Sequence, residues 1–432
     1  MIGQEIHRFA QVLWTYNRSL TGEGVRQTLQ AIQSHLPELA ICGIPSGTPV
    51  FDWTVPREWC VKQAYILAPG GKKVCDFAEN NLHLVGYSVP FRGRLSLDAL
   101  QSHLYSLPEL PDAIPYITSY YKERWGFCLS HRQREQLPAG DYEVVIESEL
   151  FDGVLNYGEL VLKGESEQEI FLSTYVCHPS MANNELSGPA VVTFLAKWLS
   201  TLATRRYTYR IIFIPETIGS ISYLSRHHRE MKARVIAGFN VTCIGDDRAY
   251  SFLPSRRGDT LSDRVAQHVL AWIDPAFVRY GWRDRGSDER QYCAPGIDLP
   301  VASIMRTKYG RYPEYHTSLD NLTEVVTPAG LQGGYTALQR SLELLENNEV
   351  LQVQVLCEPQ MGKRGLYPTL STKSSGQQVR QMMDLISYCD GQYSLLDIAE
   401  KLEVPCWDLY ETVALLKQHD LIRAKALCES VF

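Results

Sequence analysis

Four short apolar runs, each rich in β-branched residues and each leading to a side chain able to hold a proton or a metal, dominate the middle of this 432-residue chain. Phe171-Leu-Ser-Thr-Tyr-Val-Cys177 stops at His178, and Tyr209-Arg-Ile-Ile-Phe-Ile-Pro215 stops at Glu216. Val235 to Ile244 stops at Gly245-Asp246-Asp247, and Leu299 to Met305 leads into a loop that carries Glu314, His316 and Asp320. Runs of this length alternating with longer helical patterns, such as Ser187 to Leu202 and Ser220 to Met231, predict an α/β fold built on a doubly wound sheet. Ligands of such sheets collect at the carboxyl ends of the strands. His178 and Glu185 are therefore placed for metal binding or acid/base work, since Ala182-Asn-Asn-Glu-Leu-Ser-Gly188 lies between strand and helix. With Glu216, Asp246 and His316 the edge suits Zn²⁺ bound by nitrogen and carboxylate oxygen, with a position left for water.

At these residues the chain resembles the zinc aminopeptidases of the M28 type, and more closely a group of uncharacterised bacterial proteins with an aminopeptidase-like domain. The motifs that carry the resemblance are His178, Ala182 to Gly188, Glu216-Thr-Ile-Gly219, Gly245-Asp-Asp247 and His316-Thr-Ser-Leu-Asp320, with Ser287-Asp-Glu-Arg-Gln-Tyr292 similar to a substrate-side loop. It covers roughly residues 1 to 45 and 145 to 350. It implies a mixed sheet of the zinc-aminopeptidase type, metal ligands at His178, Asp246 and His316, and Glu216 as general base in amide hydrolysis. Asp288, Arg290, Tyr292 and Tyr315 become candidates for binding substrate or stabilising an oxyanion, with no choice among them. Two departures matter. The family's bridging aspartate falls on Asn184 and its second glutamate on Thr217, so two anionic ligands are gone. One firmly held Zn²⁺, with Glu185 as substitute ligand, is the expectation. A degenerate binding protein, and an amidohydrolase or deacylase acting on a small metabolite or sugar precursor, are the alternatives.

Plainer uses compete for several of these residues. Glu216 would also serve as an ion-pair partner for Arg290 or Arg306, Asp246 and Asp247 as a turn after a strand, and Asp320 as a partner that orients His316. Cys177 is read as core, because adjacent strand residues point to opposite faces. The other nine histidines, His268 among them, are taken as structural.

Net charge −7 leaves no electrostatic footprint for nucleic acid or an anionic membrane, and no run approaches a membrane span. The first residues read as an amphipathic helix opening. Eleven cysteines without a Cys-x-x-Cys pair suit reduced thiols in a cytoplasmic protein. Expected partners are a peptide or small amide substrate, without nucleic acid or membrane.

The length suggests two or three domains. Residues 1–46 and 138–350 are assigned to the aminopeptidase-like core, with residues 3 to 36 helical and broken near Thr21-Gly22-Glu23-Gly24. Residues 47–137, with short strands, prolines and aromatics, are assigned to an inserted β-rich domain, either a shielding lid or a substrate-binding wall. After about Asn348 a loop and a Ser/Thr-rich linker lead to three predicted helices: Gln377 to Tyr388, Ser394 to Leu402 and Trp407 to His419. Ser394 and Asp397 form a capping box, and the helices look like a winged-helix domain over residues 370–432. Residues 377 to 432 carry nine acidic against five basic side chains. A homo-oligomer contact or a protein partner suits them better than DNA.

Overall fold

A computed structural model describes residues 1–366 and 373–425 of the chain. The described residues fall into two compact units, residues 1–263 with 276–336, and residues 264–275 with 337–366 and 373–425.

The first unit is organised by an eight-stranded mixed sheet. Its middle strand, Ser166–Tyr175, is buried from Glu169 onward, as expected of a strand covered on both faces. Tyr207–Ile214 and Val235–Asn240 pair with it in parallel on either side, and Val301–Met305 follows in parallel beyond Val235–Asn240. Antiparallel strands complete both edges: Val154–Leu162 and Ala40–Pro45 on one side, Ser251–Leu253 on the other, where it also pairs with Val278–Arg279. Register aligns the exits. Tyr175 lies opposite Ile214, so His178 and Glu216 leave the same edge three and two residues later.

Helices cover the sheet much as the periodicity predicts. Ile2–Trp14 and Glu23–His35 flank the expected break, Ser187–Thr201 follows the first core strand, and Ile218–Arg234 follows the second. Gly188 is required where Ser187–Thr201 docks, because any Cβ there would collide with Thr174 and the Val241 carbonyl. Just ahead, Ala182–Leu186 forms a π-helical turn, a form that recurs at functional sites.

The inserted module has its own four-stranded antiparallel sheet, in the order Lys73–Val74, Glu58–Leu67, Asp141–Phe151, Phe91–Ser96. Its sheet thus extends past the expected boundary at residue 137. Asp141–Phe151 carries a buried β-branched run at Val144 to Ile146, as the core strands do, so sequence alone did not separate it from them. The module is laced to the loop of His316. Tyr116 N donates to the His316 carbonyl at 2.8 Å, Ser318 N to the Ile114 carbonyl at 2.9 Å, and Pro115 bridges to Thr317.

In the second unit, helices Lys373–Ser387, Leu395–Leu402 and Tyr410–Gln418 accompany a three-stranded antiparallel sheet of Asp390–Ser394, Val350–Val353 and Ile422–Ala424. The capping box of Ser394 and Asp397 is present. The sheet is an addition to the three predicted helices. Asp390-Gly-Gln-Tyr-Ser394 has no apolar alternation to announce a strand, and Val350–Val353 lies well before the expected start at residue 370. The Ser/Thr-rich linker falls mostly in 367–372, outside the described residues. His268 is structural, as expected, and accepts from Cys406 N at 3.0 Å.

Candidate functional site

The strand that carries the first ligand candidate ends at Tyr175, and residues 176–181 continue as irregular chain. Side-chain alternation therefore lapses before Cys177. Cys177 belongs to the core, as expected, yet it also turns to the same side as His178: its Sγ lies 3.4 Å from His178 Nδ1, and both residues line one cavity. His178 Nδ1 is also 2.9 Å from Glu185 Oε2, while Nε2 lies 3.7 Å from Glu216 Oε2. Burial, with Arg18 close by, pushes the His178 imidazolium down to about 3, and burial pushes the Glu185 carboxyl upward. The uncharged imidazole can donate Nδ1–H to Glu185 Oε2.

Behind this pair stands a residue that sequence reasoning missed. Arg18 is fully buried, donates Nε to the His178 carbonyl at 3.0 Å and Nη1 to the Leu13 carbonyl, and places Nε 3.6 Å from Glu185 Oε1. Nothing local marks it, because it lies in a loop between helices 160 residues from His178.

The second strand exit supplies Glu216. Burial, with the Asp288 carboxylate nearby, pushes its carboxyl up to about 8. No Glu216–arginine ion pair exists among the described residues; Arg306 donates instead to the Asp246 carbonyl. Thr217 adopts a φ of 63°, its N–H donates to Asp288 Oδ1 at 2.7 Å, and its hydroxyl accepts from Arg290 Nη2 at 2.8 Å. Arg290 and Thr217 line the cavity. Asp288 is buried behind them, and Tyr292 is set away from the cavity, fully buried against Phe171 with its hydroxyl on Ser173. Tyr292 is thus a core residue.

The third exit departs from expectation. Asp246 accepts from Arg248 N, Thr307 Oγ1, Asn183 Nδ2 and Thr307 N at 2.7–3.0 Å, and it does not line the cavity. Four donors occupy both carboxylate oxygens, which leaves this aspartate tied into the loop framework. Asp247 is exposed and bonded to Thr327. Asp320 does not orient His316; it accepts from Asn183 N, Asn184 N and Tyr312 OH, and so holds the π-helical turn.

His316 reaches the cavity from the fourth exit with its ring centroid 5.5 Å from that of His178. Tyr315 stacks on it at 3.9 Å, which makes that tyrosine a support for the imidazole. Burial, with His178 beside it, lowers the His316 imidazolium to about 3. Ser180, Thr217, Cys243 and His316, one after each core strand, have φ between 43° and 63°. Non-glycine residues rarely occupy this region, and where they do the strain clusters at working sites.

The cavity holds about 370 Å³. Cys177, His178, Glu216, Thr217, Arg290 and His316 form one side, and Trp53, Tyr116, Thr118, Tyr120 and Tyr121 of the inserted module form the other. Tyr116 packs its ring against both histidines, with centroids 5.1 and 5.3 Å away, and shares a 2.7 Å hydrogen bond with Tyr120. The inserted module is a wall of the cavity rather than a detached cover.

The donors suit one cation better than two. Cys177 Sγ, a ring nitrogen of His178 and a Glu185 oxygen all lie within 4.8 Å of one another, and Glu185 Oε1 is buried without a hydrogen-bond partner. Sulfur, nitrogen and carboxylate oxygen are all accepted by Zn²⁺. Among the described residues a second cation has nothing comparable, because Asp246 is saturated and the Thr217 hydroxyl is held by Arg290.

Comparison with known proteins follows the same lines. The profile of the domain of unknown function DUF4910 matches residues 7–348, and a winged helix-turn-helix profile matches residues 348–424. A Clostridium acetobutylicum protein provisionally named for polysaccharide biosynthesis with an aminopeptidase-like domain is 45% identical over 401 residues, 92% of this chain and 91% of its own. A crystal structure of a Clostridium acetobutylicum protein provisionally named a peptidase superposes with a TM-score of 0.91 at 42% identity, covering 98% of this chain and 97% of that one. A zinc aminopeptidase from Bacillus subtilis shares the fold at a TM-score of 0.57 and 11% identity, covering 79% and 94%. With an aminopeptidase-type core and a C-terminal winged helix, the chain belongs to the DUF4910 family.

Proposed function

We propose that this chain is a metal-dependent hydrolase of amide bonds that uses Glu216 as its general base. The observation that carries this is the meeting of Glu216 with His178, 3.7 Å apart, in a cavity at the carboxyl edge of the parallel strands. Cys177, His178 and Glu185 would hold one Zn²⁺, with His316 across the cavity. A bound Zn²⁺ supplies Lewis acidity, which acidifies water and polarises a carbonyl. Glu216 takes the proton as water oxygen bonds to the carbonyl carbon, and returns it to the amine nitrogen as the C–N bond breaks. Burial raises the Glu216 carboxyl toward the range where it can both take and return a proton, and a bound cation would favour the ionised form that acts as base. Arg18, through Glu185 and the His178 carbonyl, keeps the imidazole in place, and the tyrosine wall excludes water.

The relative named for polysaccharide biosynthesis favours a small amide on a sugar precursor over a peptide. The loss of anionic ligands at Asn184 and Thr217 supports a second function, a binding protein with a vestigial site. Metal analysis separates the two. Protein purified without chelator should carry about one Zn²⁺ per chain, and His178→Ala and His316→Ala should each lose it. Full retention in both variants would remove the site assignment, and a metal-free wild type that cannot be loaded would remove the hydrolase assignment.

For the C-terminal domain, protein docking or self-association fits better than DNA reading, because its acidic surplus repels phosphate. Gel-shift titration of the full chain at low salt should show no salt-sensitive duplex binding; submicromolar binding that weakens steeply with salt would reverse this assignment. A cytoplasmic location is consistent with ten described cysteines, none in a disulfide, and with the lack among the described residues of a helix long and apolar enough to cross a membrane.

A further inference from the structure

The charges around the cavity narrow the kind of amide it receives. Among the described residues that line it, Glu216 is the one carboxylate and Arg290 the one permanent cation. Glu216 is committed to proton transfer in the function proposed above. Asp288, two residues before Arg290, does not line the cavity: Oδ1 accepts from Thr217 N at 2.7 Å and from Ser220 Oγ at 2.8 Å, and Oδ2 is buried without a hydrogen-bond partner. No further carboxylate in the described lining is free to receive the ammonium of a chain terminus.

Arg290 offers the opposite charge in a prepared position. Its Nη2 is anchored on Thr217 Oγ1 at 2.8 Å, while its Nε is buried without a hydrogen-bond partner. A buried donor left without an acceptor is unfavourable, and an incoming anionic oxygen would satisfy it. A planar guanidinium held by one edge presents its remaining N–H groups in the fork that matches carboxylate and phosphate. A second pocket of about 220 Å³ shares Tyr120 and Tyr121 with the first, and it carries Arg57 and Lys122 against a single acidic residue, Glu123.

We propose that the amide substrate carries an anionic oxygen group, a carboxylate or a phosphate, which Arg290 receives beside the scissile bond, and that a free terminal ammonium is not what this cavity selects. The proposal rests on the hydrolase function above for the bond that is cut, and on Arg290 alone for the group that is bound.

The test uses the full-length chain with four ligand types. N-acetylglycine supplies a carboxylate, N-acetylglucosamine 1-phosphate a phosphate, N-acetylglycinamide and N-acetylglucosamine the uncharged counterparts, and leucine amide the ammonium. Binding is followed by intrinsic fluorescence, since Trp53 lines the cavity, and hydrolysis by release of amine or ammonia. At least one anion should bind more than tenfold tighter than its uncharged counterpart, and the better of the two identifies the group. Arg290→Gln should reduce that preference by about tenfold to a hundredfold, the range expected for hydrogen bonds to a charged group. Arg290→Lys should keep part of it, as a charge without the fork. Should Arg290→Gln fail to fold, the wild-type ranking decides alone. Preference for leucine amide, or anions bound no tighter than uncharged partners, overturns the proposal; cleavage of leucine amide would do so while keeping the hydrolase function. Anion binding through Arg290 without cleavage of any ligand would keep the site and remove the hydrolase function.

Discussion

Glu216→Gln is expected to lower turnover by about two to four orders of magnitude while leaving the fold and bound metal in place, which is the usual worth of a positioned general base. Glutamine keeps the size and one acceptor oxygen of glutamate but cannot carry a proton from water to amine. A pH titration of the metal-free protein gives a check independent of catalysis. The folded Glu216 holds its proton up to about pH 8, whereas an unfolded glutamate releases it near 4.5. Between those values the folded state binds more protons, so its stability falls as pH rises through the window. Glu216→Gln should flatten that slope. A variant with wild-type turnover would dismiss the base, and one that loses metal would make Glu216 a ligand.

Arg18→Met is expected to destabilise the protein by about 3 to 5 kcal/mol in urea unfolding, the range seen when one partner is removed from a buried ion pair. Arg18 and Glu185 are both fully buried, and no water reaches either side chain to replace the other. The guanidinium also donates to the carbonyls of His178 and Leu13, so its loss leaves backbone acceptors unpaired and frees the His178 segment to shift. Adding Glu185→Gln to Arg18→Met should recover part of the loss, because an uncharged amide no longer needs the cation. A change under about 0.5 kcal/mol, the ordinary range for surface substitutions, would show that the pair does not hold this part of the core together.

The fold was legible because its signals are local. A buried parallel strand needs a run of β-branched and aromatic residues whichever strands lie beside it, and the helix after it needs an apolar stripe at a period of 3.6. Those two patterns also located His178, Glu216 and His316, since strand exits are read directly from where the apolar runs stop. The capping box at Ser394 and Asp397 is local for the same reason: its partners are three residues apart. Asp390–Ser394 was not legible, because a short polar strand is made by its neighbours and not by its own residues.

What sequence by itself determined, then, is the sheet, its helices and the edge at which polar groups gather. Tertiary structure alone decided which of those groups face one another. By sequence Asp246 was open to either a ligand or a turn role, and Thr307 and Asn183, 61 and 63 residues distant, saturate it. Cys177 joined the cavity because the strand ended two residues early, and Arg18 reached His178 only through the docking of the first helix. The tyrosine wall likewise depends on a module folded between strands far apart in the chain. Polar satisfaction depends on angles and distances between segments that sequence spacing does not encode, whereas burial of an apolar run depends on little more than its own composition.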